Sequence, residues 1–141
     1  MAFYCQQMFK IALELARHDK AWDDVATKFL EHFLAIARSM GEFGSRGVSL
    51  WHEEDGFFYD VLVAPDGSAQ QLRVPSMVGL LPILGATEVP GWINDECPDV
   101  TARLRWLQRR RPERVGPLLF AKGPGEHKML LSLLDPTRLR R

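Results

Sequence analysis

Apolar residues recur with helical spacing from the first positions of the chain. Tyr4, Met8, Ile11 and Leu15 fall on one stripe with Ala12 and Ala16 beside it, the pattern of an amphipathic helix. No Ser, Thr, Asp or Asn cap precedes that stripe, and it is already running at residue 3, as though a helix were entered after its beginning. A second helix is expected to start with Asp19 as its cap and Asp23 and Asp24 at the positive end of its dipole, and to stop at Gly41. Val25, Phe29, Phe33, Ile36 and Met40 form one apolar row on it, and Trp22, Ala26, Leu30, Leu34 and Ala37 form another. So wide a face calls for cover on more than one side.

From Leu50 the texture changes to aromatic and β-branched residues punctuated by turns. Asp55-Gly56 separates Leu50-Trp51 from Phe57-Phe58-Tyr59, and Pro65-Asp66-Gly67 separates Val61-Leu62-Val63 from Leu72-Arg73-Val74. These spacings predict short hairpins or extended loops around residues 50–74. Ser76 to Leu84 reads as a short buried helix broken near Pro82 and closed by Gly85, ahead of a loop around Pro90-Gly91-Trp92. A further helix begins near Asp99, with Val100, Leu104 and Leu107 on its buried side, and stops at Pro112. Beyond Gly123-Pro124-Gly125, the apolar run Leu130 to Leu134 leads into Asp135-Pro136, a capped helix start. The chain ends at Arg141, less than two turns into that helix, so both ends read as cut. With no internal repeat and no long linker, residues 1–141 form one unit, or part of one.

Composition narrows the picture mostly by exclusion. The 141 residues are 46% apolar, enough to bury a core, while 18 Lys plus Arg balance 18 Asp plus Glu and leave no overall field to steer the chain to nucleic acid or an anionic membrane. Cys5 and Cys97 form neither a paired metal-ligand spacing nor a disulfide framework and read as free thiols. No signal peptide and no apolar run of about 18 residues is present, which makes a cytoplasmic chain the expectation.

Candidate chemistry concentrates in Trp51-His52-Glu53-Glu54-Asp55, but adjacent residues do not converge on a metal, and an acidic run before glycine reads as a solvated turn. Trp51, Tyr59, Asp60 and Arg73 carry the parts of a sugar site, in which a flat ring meets the C–H face of a pyranose and charged groups meet its hydroxyls. The competing reading makes the aromatics core and pairs Asp60 with Arg73 structurally. Arg103, Arg105, Arg109, Arg110, Arg111 and Arg114 read as a solvated helix face, without a nucleic-acid motif. His18, His32 and His127 show no nucleophile–base spacing, and Gly123-Pro124-Gly125 is no phosphate loop. No cofactor and no metal are expected.

Several blocks together carry a family likeness. They are Tyr4-Cys5 through Ala16, Ala26-Thr27-Lys28-Phe29-Leu30-Glu31-His32-Phe33, Leu50-Trp51-His52-Glu53-Glu54-Asp55-Gly56-Phe57-Phe58-Tyr59-Asp60-Val61-Leu62, Pro65-Asp66-Gly67-Ser68, and Leu72-Arg73 to Leu81-Pro82. In that order they resemble a stretch of the catalytic domain of large bacterial proteins similar to glycoside hydrolase family 63, the glucosidases and mannosylglycerate hydrolases. His52 stands where that pattern usually has an acidic or amide residue, and Pro75 where a basic residue is usual before Ser76-Met77-Val78-Gly79.

The resemblance implies a mainly α fold, a partial (α/α)₆ toroid with hairpin-bearing loops around residues 50–74. Residues 1–141 would then be a single partial domain. It implies a glycoside substrate and an inverting reaction, in which one carboxylic acid protonates the leaving oxygen and a carboxylate about 6.5–9.5 Å away activates water. By the resemblance the acid lies before Met1 and the base after Arg141, so no catalytic residue is assigned here. Trp51, Asp60 and Arg73 are the residues it places at or behind a sugar site, and the missing parts of the barrel are the implied partners. The competing class is a free-standing helical module that binds a protein through its wide apolar faces. A fragment would stay molten or aggregate, whereas a module would unfold cooperatively.

Overall fold

The computed structural model describes residues 1–41, 48–112, 115, 118–123 and 126–140, with 118–123, 126–128, 136 and 139 described by their backbone. Helix α1 spans Ala2–Ala16 and α2 spans Ala21–Gly41, and the two pack on each other along their length. The buried side of α1 is Ala2, Cys5, Gln6, Phe9, Ala12, Leu13 and Ala16. The expected stripe is thereby corrected, because Tyr4 is 54% and Ile11 51% exposed. Two apolar stripes compete on this helix, and the one rich in alanine wins because small side chains let α2 come close through its own buried Ala26. Asp19 Oδ1 accepts the Ala21 N–H at 3.0 Å at the start of α2, and Ala26, Leu30, Phe33 and Leu34 are buried.

Helix α4, Pro98–Arg110, follows a short helix α3, Ile93–Glu96, and lays Val100, Leu104 and Leu107 into the same core. It has no cap of its own, since Cys97 makes no side-chain bond to it. Asp23, 1% exposed on α2, takes that part. Its Oδ2 accepts the Asp99 N–H at 2.8 Å and its Oδ1 accepts the Val100 N–H at 3.1 Å. The residue expected to serve the dipole of its own helix thus caps another.

Two hairpins follow α2. Strands β1 (Trp51–His52) and β2 (Phe57–Phe58) pair antiparallel across Gly56, and β3 (Asp60–Val63) pairs with β4 (Ala69–Leu72) across Gly67. Both glycines have positive φ, 61° and 90°, which side chains seldom tolerate. These are the hairpins the turn residues predict.

A third sheet was not legible. Strand β7 (Glu126–Ser132) lies between β5 (Ala86–Val89) and β6 (Leu118–Gly123), antiparallel to both. Val89, Met129 and Leu131 join α1, α2 and α4 in one core. Gln6 ties the layers together, its Nε2 donating to the Leu131 carbonyl at 3.3 Å. This three-stranded sheet, added to the two predicted hairpins, overturns the expected mainly α, partial (α/α)₆ toroid: the described residues form helices packed on an antiparallel sheet. The physical reason is that Met129, Leu130 and Leu131, which lead toward Asp135-Pro136, lie near the end of a central strand, with Met129 and Leu131 buried against the helices.

The expectation of a buried helix over Ser76–Leu84 also needs correction. Residues Met77–Leu84 form a 3₁₀ helix in which Pro82 is buried, while Met77, Val78, Leu80, Leu81, Ile83 and Leu84 are each at least half exposed. Asp135 caps the short helix α5, Pro136–Leu139, by accepting from Thr137 N and Arg138 N, as Asp135-Pro136 predicts. Pro124, Gly125, Arg114, Arg141 and the side chain of His127 lie outside the described residues. Cys5 and Cys97 are free, buried thiols.

Candidate functional site

The two hairpins bring the quoted polar and aromatic residues into one cluster. The β1–β2 turn presents Asp55, the strand end at β2–β3 presents Tyr59, and Arg73 follows β4. Arg73 grips Asp55 with Nη2 on Oδ1 at 2.8 Å and on Oδ2 at 2.9 Å, and with Nε on Oδ2 at 3.1 Å. Tyr59 Oη donates to Asp55 Oδ2 at 2.9 Å. The Tyr59 hydroxyl, then the Arg73 fork and its charge, hold the Asp55 carboxyl below its usual range; the same bond raises the Tyr59 phenol. His52 Nδ1 accepts the Asp55 N–H at 3.2 Å and lies 3.4 Å from Asp55 Oδ2.

Trp51 sits behind this lock. It is 6% exposed and packs edge-on against Phe58, with centroids 4.9 Å apart, in a small core shared with Leu134. The Arg138 guanidinium from α5 lies 5.3 Å from its ring centroid. Gln71 Nε2 donates to the Ser49 carbonyl at 2.7 Å and to the Trp51 carbonyl at 3.3 Å, joining the second hairpin to the first. The Trp51 ring is therefore a brace within the hairpins and offers no open face for stacking.

Asp60 is exposed at the start of β3, opposite Leu72 in register. With Tyr59 it lines an open groove of about 380 Å³, whose other walls include Met40, Leu50, Val78 and Leu81. The groove is apolar with polar groups at one side. Of the three residues proposed from sequence, Asp60 reaches the groove, Arg73 locks Asp55, and Trp51 packs in the small core with Phe58 and Leu134. The pairing of Asp60 with Arg73 gives way to Asp55 with Arg73. Sequence reasoning passed over Asp55 because it read the acidic run as one solvated turn; the signal lay in its position before Gly56, which turns one carboxylate of that run back toward the strands. Glu53 and Glu54 are exposed in the turn. Among the described residues no group of three His, Cys, Asp or Glu side chains is placed to hold a metal ion.

No protein-family model matches the chain, and no solved structure matches it. The chain is similar to the uncharacterized protein YMR196W of Saccharomyces cerevisiae, 36% identical over 153 aligned positions that cover 99% of this chain. It spans 14% of the length of that yeast protein. None of the helices among the described residues is long and apolar enough to cross a membrane.

Proposed function

We propose that this chain is a segment of a carbohydrate-processing enzyme, an inverting glucosidase or mannosylglycerate hydrolase of the family 63 type, and that it supplies part of the sugar-site wall without the catalytic acid or base. The observation that supports the reading is the Asp55–Tyr59–Arg73 lock beside the groove carrying Tyr59 and Asp60. The lock fixes Tyr59, 7% exposed, in the wall of an apolar hollow that has the exposed Asp60 carboxylate at its rim. An apolar lining with a carboxylate at its edge suits a sugar with C–H faces and a hydroxyl rim. Asp55 itself is spent on three donor groups and acts as a positioning residue for Tyr59. The similarity to a slice of a much longer protein agrees with a segment whose catalytic carboxylates lie elsewhere. Two buried free thiols suit a reducing compartment, and we place the protein in the cytoplasm.

The purified chain should hydrolyse no aryl glucoside or mannoside, while ¹⁵N spectra titrated with methyl glucosides and mannosylglycerate should shift the Tyr59 and Asp60 amides. Turnover by the chain alone would remove the claim that acid and base are absent. Sugar-independent spectra would remove the pocket wall. Coding DNA on both sides of the reading frame should continue with paired carboxylates; unrelated flanks would sink the segment reading.

A second reading, a free-standing module that binds a protein, is favoured by the exposed apolar 3₁₀ helix of Met77–Leu84. It predicts a soluble monomer or defined oligomer with one cooperative thermal transition.

A further inference from the structure

Helix α4 turns Val100, Thr101, Leu104 and Leu107 to the core, and the opposite side carries Arg105, Trp106, Arg109 and Arg110. At 100° per residue, Trp106 runs down the middle of that outward face, with Arg105 and Arg109 along one flank and Arg103 and Arg110 along the other. Trp106 is 44% exposed, and the Arg103 guanidinium lies 4.4 Å from its ring centroid while also pairing with Glu31 on α2. Among the described residues, Arg105, Arg109, Arg110 and Arg111 have no acidic partner. The helix dipole accounts for basic residues in the last turn, Arg109 and Arg110. It accounts neither for Arg105, a turn earlier, nor for a large aromatic ring left in water among four guanidinium groups.

We propose that this face of α4 is a docking surface for an acidic polypeptide segment, whose carboxylates pair with Arg105, Arg109 and Arg110 and whose apolar side chain covers Trp106. The spacing fits an extended chain. Helix positions four apart, such as 105 and 109 or 106 and 110, lie about 5–6 Å from each other. Alternate side chains of an extended strand repeat at about 6.6–6.8 Å, so successive outward carboxylates meet successive arginines. Each guanidinium offers a planar fork that matches a carboxylate bidentately. An exposed ring flanked by arginines is the composition that concentrates binding energy at protein interfaces. A single-stranded nucleic acid would instead need several stacking rings along a basic groove, and this face has one ring on a convex helix.

The test uses the full chain and three labelled probes followed by fluorescence anisotropy. They are an eight-residue peptide with alternate glutamates and a central leucine, its lysine counterpart, and a single-stranded DNA octamer. The glutamate peptide should bind, and the lysine peptide should not. The Arg105→Gln/Arg109→Gln/Arg110→Gln variant should weaken binding by about tenfold or more and flatten its dependence on salt. Trp106→Ala should weaken binding while keeping the salt dependence. The Arg105→Lys/Arg109→Lys/Arg110→Lys variant preserves the charge and should lie between the glutamine variant and the native chain, and far-UV dichroism of each variant reports that α4 is intact. Equal binding of the two peptides, or unchanged binding in the glutamine variant with α4 intact, would overturn the proposal. Tighter binding of the DNA octamer than of the glutamate peptide would overturn it in favour of a nucleic-acid surface.

Discussion

Replacing Asp23 by alanine strips α4 of the only side-chain cap described for it. Two hydrogen bonds are lost, from Asp99 N at 2.8 Å and Val100 N at 3.1 Å, at a carboxylate 1% exposed. Bonds to a charged acceptor are worth about 1.5–3 kcal/mol each, and removing a cap in favour of alanine costs about 0.5–2 kcal/mol. The two losses overlap, because Asp99 N sits near the surface and water can replace its partner, whereas Val100 N is buried and stays orphaned. Together they set the expected cost of Asp23→Ala at about 3 kcal/mol, a large share of the roughly 5–15 kcal/mol available to a small domain. Asp23→Asn keeps one carbonyl oxygen for one of the two N–H groups and should cost about 1–2 kcal/mol. Urea titration followed by far-UV dichroism measures both, and amide exchange at Val100 reports the local loss. Asp24 is the control: it is adjacent in sequence, exposed, and paired among the described residues with Lys28 across one helical turn, so Asp24→Ala loses a surface pair and a first-turn dipole contact and should cost about 1 kcal/mol or less. Equal effects of Asp23→Ala and Asp24→Ala, or native protection at Val100 in the first, would refute the trans-capping argument.

Other perturbations test the hairpins and the core. A Cβ at Gly79 would run into the Phe58 carbonyl oxygen and the Phe57 ring, so Gly79→Ala should pull the 3₁₀ helix off β2 and lower the unfolding midpoint, whereas Gly41→Ala, with open space around its Cβ, should not. The Asp55 carboxyl is held below its unfolded value of about 3.9, so its contribution is present above that pH and drains away as pH falls through the folded value. Asp55→Asn should therefore flatten the acid limb of a stability–pH curve, and a limb identical to the native one would dissociate the lock from folding. Burial pushes the Cys97 thiol up to about 11, above an unfolded value of about 8.5. Its stabilisation is complete below about pH 8.5 and is lost toward pH 11, so Cys97→Ala should lose less stability over that window than the native chain. Thiol reagents at pH 8 should label Cys97 only after unfolding; fast labelling of the folded chain would contradict its burial.

What could be read from the sequence was local. The Asp-Gly and Pro-Asp-Gly turns, the Asp135-Pro136 helix start and the Val100–Leu104–Leu107 face all depend on chemistry within a few residues, and all stand in the structure. What could not be read depended on partners distant along the chain. Asp23 and Asp24 are equivalent as sequence, yet one caps a helix 76 residues away and the other faces solvent. In the β5–β7–β6 sheet, β5 pairs with β7 forty or more residues further on, and β7, Glu126–Ser132, runs from a polar start into Met129-Leu130-Leu131 without alternation, so periodicity had little to detect. The α1 stripe failed for a related reason: Ile11 and Leu13 are equally apolar, and the alanines that let α2 approach choose between them.

The candidate site divides along the same line. The aromatic and acidic residues of the hairpin block announce a cluster, but which carboxylate Arg73 takes is set by how one hairpin folds over the other, and that placement chooses Asp55 over Asp60. The consequence is chemical. A carboxylate holding three donor contacts from a guanidinium and one from a phenol is committed to order, while the one left exposed beside the groove is free to meet a ligand. Hydropathy has the same blind spot at Met77–Leu84, where an apolar run states that cover is wanted and not where it comes from. Six large side chains there stand in water beside the groove, against the usual preference for burial, so the same segment that closes the wall at Pro82 and Gly79 leaves its outer side as the place where the groove can be extended by another surface.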